Sequence, residues 1–477
     1  MSGKILNLSD IHSVNLNPKN VNGVNRYKSS ESKPTNETHI YITEYIQEDS
    51  NLISIPIDAI KKINIYNTAT EANVASYVFS AIGISAGVVV VVGIIIFATK
   101  SSCPFVYIKN GNSYQFVGEM YGGAIYKSLE RNDFMPLSVI DTVSGDYEIK
   151  ITNELLEKQY TNLANLLVVE HSKDLQILVD KYGKAHSISN ISNLKSATNE
   201  SKMDLLEMLR EKDNSNYQFN DTLLQNTDFR NIQLTFKKPK NATIGKLILN
   251  AKNSYWLDYV YGKFNEQFGV LYNQFAEKQG KKPASENEKW AIEQGIPLSI
   301  FIKTKSGWKL VDNINTIGPL ASRDLVIPID LETDSDDEIT IKLECGYNFW
   351  ELDFAAMDFS ADQPLKTDVI KPYSAMDEKG NNVTDLIAND DDKYLIQPNI
   401  GNAAIIKYKL PKKSADSKVS VFLHSKGYYE YIRDYKGIPN LSKLSAFKEK
   451  GAFTRFSRTE YDKFSKDKKI FELALNQ

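Results

Sequence analysis

PFVYIKNGNSYQFV, residues 104–117, sets the fold class of this 477-residue chain. Apolar and polar positions alternate on both sides of Asn110-Gly111, the dipeptide that supplies the positive φ angles of a tight hairpin turn. The same alternation recurs in DYEIKIT (146–152), NLLVVEH (165–171), LQILVD (175–180), and in NIQLTFK (231–237) and KLILNAK (246–252), the last two expected as a strand pair. It resumes in LSIFIKT (298–304), LVIPIDL (325–331), EITIKLECGYNFWELDF (338–354), AAIIKYKL (403–410) and VSVFLH (419–424). A period of two over this many segments predicts a mainly β chain.

One region breaks the period. Leu257, Val260, Tyr261, Phe264, Phe268, Leu271, Tyr272 and Phe275 recur at three- and four-residue steps, one face of a helix of about five turns. A second helix is expected over Glu286 to Glu293, so residues 256–295 read as a helical insertion. The aromatic stripe is either the wall of a ligand groove or the face that packs on a sheet. Between the β segments, residues 186–230 are polar with one short helical pattern, KMDLLEMLREK, and read as a linker.

Residues 77–99, YVFSAIGISAGVVVVVGIIIFAT, hold no charge, and as a helix such a run spans a bilayer core. The predicted architecture is therefore one transmembrane helix followed by two β-sandwich-like domains. Its divisions are a disordered tail (1–35), a small β module (36–76), the span (77–99), a β-rich domain (100–185), the linker (186–230), a sandwich-like domain (231–425) and a basic, aromatic C-terminal segment (426–477). Gly83 and Gly87 form a GxxxG pair that would let two spans pack in a homo-oligomer. The same glycines with Ser85 spell a nucleophile elbow, but inside an apolar run where no histidine partner is at hand. Lys61 and Lys62 before the span match Lys100 and Lys109 after it, so the positive-inside rule leaves the orientation open.

The charge balance, 57 Lys and Arg against 60 Asp and Glu, speaks against a nucleic-acid partner. Zinc, phosphate-loop and dinucleotide motifs are absent, and no metal or cofactor is expected. The strongest chemical constellation is Trp350-Glu351-Leu352-Asp353 with Asp358. On a strand Glu351 and Asp353 share one face and Trp350 and Leu352 the other. Glu351 and Asp353 could act as the acid and base of a glycosidase, and Trp350, Glu351, Asp353 and Asp358 could contact sugar or calcium. The blander reading is a solvated or internally paired face. Cys103 and Cys345 are the only cysteines and could form one disulfide in an oxidising compartment.

The stretch CPFVYIKNGNSYQFVGEMYGGAIYKSLERNDFMPL (103–137), with Glu119, Tyr121, Gly123, Ala124 and Ile125, resembles a family of single-pass, membrane-anchored, β-rich proteins of Bacteroidota-type bacteria. The likeness continues in WLDYVYG (256–262), ECGYNFWELDFAAMDFSAD (344–362) and GYYEYIRDY (427–435). It implies an envelope location and adds no reaction, cofactor or catalytic residue. The expected role is a non-catalytic envelope binding or scaffold protein, its large C-terminal region periplasmic or extracellular, engaging a protein or glycan partner and held to the lipid bilayer by residues 77–99. The alternatives are a membrane-tethered carbohydrate-active enzyme using Glu351 and Asp353, and an inward-facing sensor or adaptor.

Overall fold

The computed structural model describes residues 2–4, 37–42, 46–49, 52–54, 60–66 and 103–466, apart from 112, 139–144, 222–227, 332–336, 413 and 415. The expected span, with Gly83 and Gly87, lies outside the described residues. No helix among those described is long and apolar enough to cross a membrane. The chain divides into two compact units. In the first, Ser2–Lys4, Leu52–Ser54 and Ile46–Asp49 form a three-stranded antiparallel sheet, and Glu37–Ile42 pairs with Ile60–Tyr66. Ser2–Lys4 is thus a strand inside the segment expected as a tail, and the rest of that segment lies outside the described residues.

The structure bears out the mainly β reading, with 46% of the described residues in strands and 17% in helix, and the second unit carries most of it. That unit is built from two pairs of five-stranded sheets, one nested in the other. In the outer pair, one sheet runs Ser374–Asp377, Ala403–Lys409, Asp146–Thr152, Phe105–Asn110, Ser113–Glu119. Its partner centres on Glu157–Ser172 and Ser417–Tyr431, flanked by Lys366–Ile370, Leu395–Gln397 and Arg131–Leu137. Every other residue points inward, so Val106, Ile149, Ile151 and Ile406 of one sheet meet Leu166, Val168 and Leu423 of the other in a single apolar cluster. In the nested pair, Ile191–Asn193, Trp350–Asp358, Ile244–Asn253 and Arg323–Asp330, with Tyr217–Gln218, face a sheet of Ser196–Asn199, Phe229–Lys237, Glu338–Gly346, Leu298–Thr304 and Gly307–Ile314. Leu247, Leu249, Leu352 and Met357 close on Ile232, Leu234, Ile341 and Leu343, each worth about 2 kcal/mol when fully buried.

Several expectations are corrected here. Asn110 lies within its strand, opposite Ser113, and of the dipeptide only Gly111 has positive φ, at 58°. Residues 231–237 and 246–252 do not pair with each other but lie in facing sheets. The boundary between 100–185 and 231–425 does not follow strand pairing, because Glu157–Ser172 pairs along its length with Ser417–Tyr431. Such a pairing is non-local and leaves no mark on neighbouring residues. Nor is 186–230 a linker: it holds strands at 185–188, 191–193, 196–199 and 217–218, and residues 206–209 of the expected helix form a turn. The hairpin Gln176–Val179 and Ala185–Ile188 is buried on both faces: Ile177 and Val179 pack on Leu167, Val169 and Phe422 of the outer pair, and Leu178 and Ile188 on Ile248, Val326 and Phe354 of the nested pair.

The helical insertion is a helix at Tyr255–Glu266, a 3-10 turn at Gly269–Leu271, and helices at Tyr272–Gly280 and Ala284–Glu293. Ser254 caps the first, its hydroxyl accepting from the Leu257 amide at 3.2 Å. The expected single long helix breaks at Gly269, whose φ of +49° and close approach to the Gly437 carbonyl no side chain would allow. The C-terminal segment adds helices at Leu441–Ala446 and Ala452–Lys466. Its aromatic residues are largely internal: Tyr428, Tyr429 and Phe453 are buried.

Candidate functional site

The motif Gly118–Ile125 joins the outer sheets to the loop 315–323 of the nested pair. The Tyr121 amide donates to Asp133 Oδ2 at 2.8 Å, and Arg323 Nη1 to Asp133 Oδ1 at 2.7 Å. Arg323 also bonds the Glu119 carbonyl, and Glu119 Oε2 accepts from the Leu320 amide at 2.9 Å. The Gly122 carbonyl accepts from Arg131 and, at 2.6 Å, from Thr316 Oγ1. Burial alone would push the Asp133 carboxyl up, but the charge and hydrogen bond of Arg323 outweigh it and hold the group below the ordinary carboxylate range.

Beside this joint the helical insertion stands off the outer pair and leaves a cleft of about 1210 Å³, just above the usual size of a small-molecule pocket. Tyr126, Leu129, Tyr429 and Tyr431 line it from the outer pair; Tyr261, Phe264, Phe268, Phe275 and Trp290 line it from the helices, and Leu444 and Phe447 from the C-terminal segment. The aromatic stripe thus serves both readings at once. Leu257, Val260 and Phe264 belong to the nested core, Tyr261 and Phe275 touch both cores, and Leu257, Tyr261, Phe264, Phe268 and Phe275 wall the cleft. Polar and charged side chains share the lining with them, among them Arg131, Asn253, Asp258, Gln274, Asn287, Asn315 and Thr316. Charges on the helix rim are matched along the chain, with Lys282 4.0 Å from Glu286 and Lys289 3.8 Å from Glu293. Among the described residues no group of three or more His, Cys, Asp or Glu is placed to hold a metal ion.

Tyr126 is 6% exposed, and its hydroxyl has no hydrogen-bond partner among the described residues. Burial, reinforced by the phenols of Tyr261, Tyr272, Tyr431 and Tyr435, pushes its pKa well up, so it stays a neutral donor. A buried hydroxyl without a partner costs about 1–3 kcal/mol. Tyr126→Phe is therefore expected to leave the midpoint of thermal unfolding unchanged or raise it; a loss of more than about 1 kcal/mol would mean that the hydroxyl is bonded.

The residues singled out from sequence lie elsewhere. All nine residues of Trp350–Asp358 are buried, so the acidic face is not solvated but, at Glu351, internally paired. Trp350 is fully buried and donates from Nε1 to the Ile296 carbonyl at 2.9 Å. Glu351 is 8% exposed and pairs with Lys252 at 3.3 Å. Asp353, 3% exposed, falls at the register shift opposite Asn250 and Ala251. Asp358 accepts from the amides of Ser189 at 2.7 Å and Ser360 at 2.6 Å, fixing a chain reversal. None of these four side chains lines the cleft. Cys103 and Cys345 do not form the disulfide that was open to them: both are thiols and buried, Cys103 in the outer core and Cys345 in the nested one.

Sequence reasoning missed a second buried cluster. His186 Nε2 lies 3.0 Å from Asp180 Oδ2, and its Nδ1 lies 2.9 Å from Asp362 Oδ2. Lys246, 1% exposed, reaches Asp362 at 3.4 Å and Asp358 at 3.8 Å and bonds the Ser187 carbonyl. These residues fall in four separate segments, and of them the sequence had singled out only Asp358; the apolar strand KLILNAK, which opens on the buried Lys246, was read as a strand alone. The cluster is closed to solvent around His186 and Lys246 and reads as a clamp between the hairpin and the nested sheet. No family model and no curated protein matches the chain.

Proposed function

We propose that the chain is a non-catalytic binding protein of the cell envelope, its cleft taking a protein segment or glycan with apolar faces. The observation that carries this reading is the cleft itself: about 1210 Å³, with aromatic rings in its walls, polar and charged side chains among them, and ion pairs along its helix rim. The paired-carboxylate enzyme loses its support, since Glu351 and Asp353 are buried away from the cleft. Residues 77–99 would tether the protein as a single-pass span, with the large region outside. Protease shaving of intact cells should remove a C-terminal tag; protection until detergent is added would reverse the orientation.

Gln274 is exposed at the cleft wall, and Gln274→Trp should fill the space without unfolding the protein. Envelope oligosaccharides and peptides would be screened by thermal shift against both proteins. A ligand at 100 times its Kd stabilises by about 2.7 kcal/mol, and the expected shift appears in the wild type and is lost in Gln274→Trp. Equal shifts in both would move the site elsewhere, and turnover of the ligand would sink the non-catalytic reading.

A further inference from the structure

The loops 267–271 and 437–441 lie side by side, zipped by two backbone hydrogen bonds: the Val270 amide to the Gly437 carbonyl at 3.1 Å, and the Asn440 amide to the Gln267 carbonyl at 2.8 Å. Their base is fixed by the Tyr272 and Tyr435 rings in edge contact at 5.0 Å, and by the Asn440 side chain, which caps the helix Leu441–Ala446. The tip so held presents apolar side chains to solvent: Ile438 is 93% exposed, Leu441 70%, Val270 64% and Leu271 40%. Single exposed leucines need no explanation, but four large apolar side chains together on a braced tip do. An exposure of 93% means that Ile438 stands clear of its own protein rather than lining a recess.

The surroundings are basic. Residues 432–450 carry Arg433, Lys436, Lys443, Lys448 and Lys450 against Asp434 and Glu449, and the facing segment 263–282 carries four lysines against two glutamates. We infer that this tip is a membrane-contacting element, which inserts Val270, Ile438 and Leu441 among the acyl chains of an anionic lipid surface while the surrounding lysines meet its headgroups. A protruding apolar tip ringed by cations is complementary to that surface in both polarity and charge. Leu271 and Leu441 also line the cleft, so the tip would hold the cleft beside the bilayer. The inference is independent of what the cleft binds.

The test uses the full chain reconstituted into vesicles of phosphatidylcholine alone or with phosphatidylglycerol, each with and without nitroxide-labelled acyl chains. An environment-sensitive dye is attached in the Ile438→Cys chain and, as the reference, in the Lys305→Cys chain, which labels an exposed turn in the nested sheets; Cys103 and Cys345 are buried. The expected result is nitroxide quenching at 438 at least threefold above that at 305, and present chiefly with phosphatidylglycerol. Lys436→Gln and Lys443→Gln in the 438-labelled chain should each lower the bound-to-free ratio of the tip roughly fivefold. Gln274→Trp should leave quenching unchanged, which separates a failure of the cleft reading from a failure of this one. Quenching at 438 no greater than at 305, or no greater with phosphatidylglycerol than without, overturns the inference.

Discussion

Arg323→Met is expected to lower the unfolding free energy by about 3–5 kcal/mol. The guanidinium is 5% exposed and holds the nested sheets to the outer pair through Asp133 at 2.7 Å and the Glu119 carbonyl. Methionine fills much of the volume but leaves the largely buried Asp133 carboxylate without its ion pair, with the Tyr121 amide still bonded to it. The loss comes from that stranded charge rather than from the contact itself. Adding Asp133→Asn should therefore recover part of the stability, an outcome that a simple packing defect would not give. Urea unfolding followed by circular dichroism provides both numbers. An unchanged slope with a lower midpoint would place the effect in a single cooperative unit, and two transitions would show the sheet pairs coming apart. A loss below about 1 kcal/mol would mean that the joint contributes little.

That joint shows what the sequence could and could not convey. The strands were legible because inward and outward residues alternate: DYEIKIT is a strand at Asp146–Thr152 and LSIFIKT one at Leu298–Thr304. The nesting was not, since pairing Glu157–Ser172 with Ser417–Tyr431 depends on residues about 250 positions apart. GEMYGGAI stood out as a motif but gave no hint of its role, because the Thr316 hydroxyl, the Leu320 amide and the Arg323 guanidinium that hold it lie far along the chain. Glu351 and Asp353 misled for a related reason. Alternation correctly turned them from the face of Trp350 and Leu352, but whether that second face is wet depends on what covers it. Phe354 and Ala356 on the same strand pack under the hairpin Gln176–Ile188, whose first strand was legible in LQILVD while its fold over this sheet was not. The cleft was half legible: the stripe from Leu257 to Phe275 marked one wall, while Tyr126, Tyr429 and Tyr431 come from strands and loops far away in the chain.

The clamp around Lys246 carries the other large effect. Lys246 lies among Asp362, Asp358 and the Ser187 carbonyl, and it ties the strand Ile244–Asn253 to the hairpin that separates the two sheet pairs. Lys246→Met is expected to cost about 3 kcal/mol, near the lower bound for breaking a buried pair, since Asp358 keeps its bonds from the Ser189 and Ser360 amides. The same clamp gives a pH dependence of definite sign. Burial pushes the Asp180 carboxyl up, but the His186 hydrogen bond and the amides of Lys184 and Tyr182 outweigh it; at Asp362 the charges of His186 and Lys246 outweigh burial. Both groups therefore sit below their ordinary value of 3.8 in the folded protein. The unfolded chain binds more protons than the folded one in that window, so this stabilisation is complete above about pH 5 and is lost as pH falls through the folded values. Urea midpoints between pH 3 and 7 should be flat at the upper end and fall steeply below about pH 4. With Asp362→Asn the protein should start less stable and fall less steeply, because one of the protons taken up on unfolding is gone. A wild-type curve that stays flat to pH 3, or an Asp362→Asn curve parallel to it, would show that the clamp holds no charge that folding depends on.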